Sequence, residues 1–310
     1  MNSFLRHVVV RALMLLALTW MGWLIWKNWP AVAGMASTAQ WGLLALALVA
    51  LALANVGMAL VFAGFVSRAS GDQVPTVRVV GTFLLSQIAK YVPGKIWSVA
   101  MQAAMLQSPK ATKGVLLANI ELTIVNLLLV SGAGVAFWAW TRLGATVALV
   151  VFMATWCIAG WACRLNSIRL MGAVVGRFAP RFRHMLSPPS GEREKSGVGR
   201  HAGLLLFLSM YCVGWWLLVM GATTLDARVC MEVVAALSLS YIIGVVSPMP
   251  AGVGAREGAI VLLAPAVGVS HASMAAIAIA TRVAMLALDA IIGVVGAILL
   301  VLDRYKRRRA

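Results

Sequence analysis

The sequence predicts an all-α polytopic membrane protein, with about six transmembrane helices plus two re-entrant broken-helix hairpins in an inverted repeat. Three observations carry that reading. Apolar residues make up 62% of the 310-residue chain and charged ones only 11%, a balance suited to lipid rather than water. The basic residues behind the formal net charge of +17 sit in the segments between apolar runs. That placement fits cytoplasmic loops facing anionic headgroups, and it argues against nucleic acid as a partner. Finally, proline- and glycine-rich stretches at Lys90–Trp97 and Ser247–Gly258 interrupt apolar runs at matching places in the two halves.

The first apolar run, Val8 to Trp26, follows Arg6, His7 and Arg11. Ala31-Val32-Ala33 has the look of a signal cleavage site, but the run is long for a signal core and Lys27-Asn28-Trp29-Pro30 intervenes. A retained transmembrane helix is expected, with Trp20, Trp23, Trp26 and Trp29 as an interfacial belt. A second helix is expected over 41–66, and a broken hairpin over 79–108, split at Pro93-Gly94. A third helix over 114–140 leads through the Thr141–Gly144 turn into a fourth over 145–163. Residues 164–200 form the longest polar segment. Ile168, Met171, Val175, Phe178 and Phe182 share one helical face there among arginines, as in a helix lying on an anionic leaflet, and 187–199 reads as a linker. Helix five is expected over 201–222, a second hairpin over 230–267 and helix six over 274–300. The whole chain, 1–310, reads as a single integral membrane domain of two pseudo-repeats, about 1–141 and 144–310.

Counting charges orients it. One side collects Arg6, Arg11, Arg68, Arg78, Lys90, Lys95, Lys110, Lys113, the basic residues of 164–200 and those of the tail, against Lys27, Arg142 and Arg228 on the other. The positive-inside rule then puts both termini in the cytoplasm of a cell with a bacterial-type inner membrane. Three crossings per half invert the second half relative to the first, so one hairpin enters from each side. Inverted repeats with discontinuous helices are the pattern of alternating-access transporters, whose substrate sits near the midplane.

The breaks hold the candidate chemistry. Two apolar arms of about 230–246 and 259–267 read as too short to cross comfortably, because a spanning helix takes about 20 residues. Proline lacks an N–H donor and glycine permits turns, so Pro93 and Gly94 break one arm, as Gly252 and Gly254 do the other. The free N–H groups of the helix after each break offer a seat for an anion, with Lys95 and Arg256 nearby. Plainer readings are that Lys95 snorkels to the interface and that Arg256 pairs with Glu257. Inside the helices, Glu121 and Asp289 are candidate proton-coupling carboxylates, while Arg282 is a further headgroup contact or the partner of Glu257 in an ion pair joining the halves. Gly293 and Gly296 are read as packing residues. The cysteines Cys157, Cys163, Cys212 and Cys230 and the scattered histidines show no metal-ligand spacing, and no cofactor is expected. No nucleophile or nucleotide motif appears, so enzymatic activity is not expected.

Lys90-Tyr91-Val92-Pro93-Gly94-Lys95-Ile96-Trp97 and Pro250-Ala251-Gly252-Val253-Gly254-Ala255-Arg256-Glu257 resemble the paired signatures of the lysylphosphatidylglycerol synthase transmembrane region, a flippase-like membrane family. Ala280-Thr281-Arg282 fits the same pattern. The resemblance implies translocation of a lipid or lipid-linked substrate, as proposed for the flippase half of the multiple peptide resistance factor and for relatives tied to polyprenyl-linked sugars and hopanoids. It implies membrane lipids, anionic or polyprenyl-linked, as partners, with Tyr91, Pro93, Gly94, Lys95, Gly252, Gly254, Arg256, Glu257 and Arg282 around the headgroup. This chain departs from the pattern at Met101-Gln102, where the family often has Gly-Arg, and at Ala251-Gly252, where Gly-Gly is expected. The sequence carries no counterpart of the synthase half, so aminoacyl transfer is not expected. A competing expectation is a non-transporting accessory subunit, homo-oligomeric or docked through 164–186 onto a lipid-processing enzyme such as a glycosyltransferase.

Overall fold

The computed structural model describes residues 15, 19, 23, 26, 29–70, 74–91, 97–106, 108–164, 198–247, 252 and 254–309. Among them the chain is helical, without a strand: α1 (Trp29–Ala36), α2 (Trp41–Ser70), α3 (Thr76–Ala89), α4 (Trp97–Leu106), α5 (Pro109–Leu143), α6 (Ala145–Arg164), α7 (Val198–Ala222), α8 (Ala227–Val246), α9 (Ala255–Leu262), α10 (Ala264–Val267) and α11 (His271–Arg309). Of the expected first helix and its tryptophan belt, Trp23, Trp26 and Trp29 are described, and all three are exposed. The basic amphipathic segment and linker expected over 164–199 fall almost wholly outside the described residues.

Local chemistry sets the boundaries. Ser108 caps α5 by accepting the Ala111 N–H at 3.3 Å, and Pro109 occupies the first turn, where its missing donor costs nothing. That cap starts the helix five residues before the expected 114. At the other end Gly144 has φ 100° and donates back to Ala139 O, which stops α5 and lets α6 begin at once. The expected second arm over 259–267 is two helices rather than one. Pro265 in the first turn of α10 cannot donate into a continuing α9, so the chain steps at Leu263.

Among the described residues four helices are long and apolar enough to cross a membrane: 41–67, 110–143, 227–246 and 271–307. Three of these, α2, α5 and α11, coincide with expected crossings. The fourth, α8, corrects the sequence reading of a 230–246 arm too short to cross. The helix takes in Ala227, Arg228 and Val229 and reaches 20 residues, about 30 Å at the usual rise. The apolar parts described for α6 and α7 are shorter, 145–159 and 206–222.

The packing is reciprocal between the halves. The main neighbour of α3 is α11, that of α8 is α5, and α2 pairs with α7. One core lies where α2, α3 and α5 meet, with the Phe62 and Phe83 rings 4.8 Å apart. A second lies among α7, α8, α9 and α11, around Leu218, Val233, Ile260 and Met274. Small residues let the crossings close. Gly296 of α11 sits so near α3 that a Cβ there would lie 2.6 Å from Leu85 N and 2.7 Å from Gly81 O, and Gly293 faces Ile88 just as tightly. Gly134 of α5 does the same against Ser238 of α8. Each crossing is also pinned at one end by charge. Arg78 at the start of α3 meets Asp303 of α11 at 3.3 Å. Arg142 at the end of α5 meets Glu232 of α8 at 3.1 Å and the Ala266 carbonyl at 2.9 Å, while Arg228 donates to the Thr141 carbonyl.

These contacts predict the response of the α3–α11 crossing. Gly296→Val drives methyl groups into backbone atoms that cannot step aside, at a cost of roughly 1–3 kcal/mol from overpacking. The thermal unfolding midpoint in detergent is expected to fall clearly. Gly42→Ala, with no atom within 4 Å of the new Cβ, is expected to leave it unchanged.

Candidate functional site

Helix α3 ends at Ala89 and delivers Lys90 and Tyr91 toward the middle of α11. Lys90 Nζ lies 2.7 Å from Asp289 Oδ2, and the Tyr91 hydroxyl donates to the same oxygen at 2.5 Å. Asp289 is fully buried and Tyr91 nearly so, whereas the Lys90 side chain keeps 34% of its surface. The second carboxylate oxygen, Oδ1, accepts no hydrogen bond among the described residues. Asp289 therefore ties the first hairpin to the other half of the protein. Pro93, Gly94 and Lys95 lie outside the described residues.

The second hairpin turns through Gly252 (φ 69°) and Gly254 (φ 81°), both left-handed. Gly252 also presses on α8: a Cβ would come 2.7 Å from Gly244 Cα, so only glycine lets the break fold back this closely. The expected anion seat at the start of α9 is corrected here. Glu257 Oε2 accepts the Gly254 N–H at 2.7 Å, so a carboxylate of the helix itself takes up one of the donors at that end. Glu257 Oε1 meets Arg282 of α11 at 2.9 Å. That is the expected ion pair between hairpin and helix six, and it replaces the alternative pairing of Glu257 with Arg256.

Arg256 is thereby left over. Among the described residues its guanidinium makes no ion pair and no hydrogen bond. It stands 5.4 Å from the Trp215 ring centroid and 5.8 Å from that of Tyr241. Two aromatic faces hold it by cation–π attraction and leave its five N–H donors unspent.

These groups border one cavity of about 670 Å³ among α2, α3, α4, α5, α7, α8, α9 and α11, within the usual range for ligand pockets. Lys90, Tyr91, Gly252, Arg256, Glu257 and Arg282 line it. Gly254 stays outside the lining, as do the two expected coupling carboxylates. Asp289 is buried behind Tyr91, and Glu121 is buried within α5 at 2% exposure. Part of the cavity wall is made of neutral polar groups. Asn119, Thr123 and Asn126 repeat along one face of α5, joined by Asn55 of α2, Gln87 of α3 and Gln102 of α4. Gln102 donates to Ser86 Oγ at 2.7 Å and accepts from Asn119 at 2.7 Å. Asn126 donates to the Tyr241 hydroxyl at 3.0 Å. Sequence reasoning missed this wall and the Trp215–Tyr241 cage. The α5 residues had a signal: polar side chains at i, i+4 and i+7 in an otherwise apolar helix. Trp215 had none that sets it apart from the other tryptophans.

The model of the family described as lysylphosphatidylglycerol synthase TM region matches residues 6–293. No curated protein and no solved structure matches the chain.

The Lys90–Asp289 pair gives an asymmetric prediction. Lys90→Met strands a fully buried carboxylate, at about 3 kcal/mol or more. Asp289→Asn leaves only a lysine that reaches the cavity. Thermal unfolding in detergent should therefore show Lys90→Met the more damaging, with the double variant Lys90→Met/Asp289→Asn recovering most of the loss.

Proposed function

The chain belongs to the lysylphosphatidylglycerol synthase transmembrane-region family, and from that premise we propose that it moves an anionic amphipathic lipid between the leaflets of a bacterial inner membrane by alternating access. The observation that carries this reading is Arg256: a cation in the cavity with no ion pair or hydrogen bond among the described residues, although a charge at membrane depth costs about 3 kcal/mol or more without a partner. A headgroup phosphate supplies that partner, and guanidinium takes it bidentately. Lys95 of the first hairpin is the second phosphate contact in this scheme. The Glu257–Arg282 pair holds α9 against α11 so that Arg256 stays in place.

The reciprocal packing supports an inverted repeat. Each hairpin's first arm, α3 or α8, lies against the last helix of the opposite half, α11 or α5, with a small-residue crossing and an arginine–carboxylate clasp. Two equivalent units can exchange roles while the headgroup stays at the cavity between them. Asp289 is the coupling group we favour. Its contacts to Lys90 and Tyr91 are the link whose breaking frees the end of α3 from α11. Glu121, buried away from the cavity, supports the fold of α5. Both termini are cytoplasmic in this scheme, by the positive-inside bias.

The test is headgroup accessibility in proteoliposomes, followed by quenching of labelled anionic lipids that include a polyprenyl phosphate. The wild-type chain is expected to speed exchange between leaflets. Arg256→Ala is expected to slow it by about tenfold or more, the loss of a charged hydrogen-bonded contact, and Arg256→Lys to fall between. If no lipid moves faster than in empty vesicles, the transport reading fails.

A further inference from the structure

The neutral part of the cavity wall narrows the kind of headgroup, on the reading that this cavity is the transport site. Most of the amide N–H groups on its asparagines are spent inside the protein: Asn119 gives both, to Gln102 and the Val115 carbonyl, while Asn55 gives one to the Leu51 carbonyl at 2.8 Å and Asn126 one to the Tyr241 hydroxyl. Among the described residues no donor reaches the amide oxygens of Asn55, Asn119 or Asn126. Three amide oxygens on cavity-lining residues therefore remain for donors on whatever enters, and Asn55 and Asn126 keep one N–H each, a set that hydroxyls, which both donate and accept, can satisfy. The nearest is placed by Asn126, whose partner Tyr241 also carries Arg256. From there the acceptors run along α5 to Asn119, seven residues on and about 10 Å at 1.5 Å per residue.

Donors come from hydroxyls or from an ammonium group, and the charges decide between them. The one carboxylate lining the cavity, Glu257, is engaged by Arg282, and Asp289, behind the lining, is engaged by Lys90. An ammonium headgroup would share the cavity with Lys90, Arg256 and Arg282 and find no unengaged carboxylate, which leaves a desolvated charge unpaired. Hydroxyls donate to amide oxygens without that cost.

We propose that the headgroup is a lipid-borne phosphate carrying a neutral polyhydroxylated group, a polyol or sugar, with the phosphate on Arg256 and the hydroxyls donating to Asn126, Asn119 and Asn55. Amine-bearing phospholipids are the disfavoured class.

The experiment compares lipids that share one acyl scaffold and differ only in headgroup: phosphatidylinositol, phosphatidylmethanol and phosphatidylethanolamine. Binding is measured by competition on the full chain in nanodiscs and leaflet exchange in proteoliposomes, with free inositol 1-phosphate as the soluble competitor. Phosphatidylinositol is expected to bind and exchange about tenfold better than phosphatidylmethanol, the worth of one or two neutral hydrogen bonds, with phosphatidylethanolamine last. Asn55→Leu is expected to shrink the advantage of phosphatidylinositol over phosphatidylmethanol. Asn119→Asp is expected to raise phosphatidylethanolamine relative to phosphatidylinositol. Equal exchange of all three lipids overturns the headgroup assignment and leaves transport standing. Failure of all three to bind or exchange removes the transport reading and this inference with it. Free inositol 1-phosphate competing as strongly as the lipid overturns a lipid-borne source.

Discussion

A low-dielectric surround tolerates a charge only when something neutralises it, and the protein is built around satisfying that condition. Lys90 meets Asp289, Arg142 meets Glu232, Arg282 meets Glu257, and Arg78 meets Asp303. Every one of these pairs joins two different helices, so the cost of burying charge is turned into specificity of packing. Among the described charged residues that line the cavity, Arg256 is the one without an ion pair, and the proposed site rests on it. Its aromatic cage offsets part of the cost of an unpaired cation but contributes no acceptor. The same rule that fixes the fold thus leaves one valence open.

Close backbone contact is the second requirement, and it follows from the first. An ion pair between helices forms only if the helices approach, and in a membrane the drive to approach is packing rather than expulsion of water. Gly81, Gly293 and Gly296 bring α3 and α11 together along the length between Lys90–Asp289 and Arg78–Asp303. Gly252 brings the second break against Gly244 of α8, which sets Arg256 over Tyr241 of the same helix. Glycine here positions charge.

The second break and the C-terminal end of α5 were legible because glycine acts locally: Gly144, Gly252 and Gly254 take the positive φ that their turns require. Helix lengths were less legible. An amphipathic boundary such as Arg228 looks like the edge of an apolar run, yet its side chain is satisfied by the Thr141 carbonyl and the helix continues through it. Partner choice was legible only as a pair of alternatives. Arg256 and Arg282 have the same charge, and the sequence allowed either as the partner of Glu257. Neighbours in a helix are about 100° apart, however, and Glu257 faces α11 while Arg256 faces α7 and α8. The neutral wall went unread because asparagine and threonine in a membrane helix pass easily for packing residues.

The departure at Met101-Gln102 gains meaning from that wall. Where the family resemblance leads one to expect a basic residue, Gln102 is nearly fully buried and links Ser86 to Asn119. A glutamine both donates and accepts, so it passes a hydrogen bond from α5 through α4 to α3 and leaves the Asn119 oxygen without a competing donor. An arginine at the same position has donors only. It would claim that oxygen, add a second charge and favour a second anionic group. An amide there adds no further cation to the cavity and turns more of its surface over to neutral hydrogen bonding.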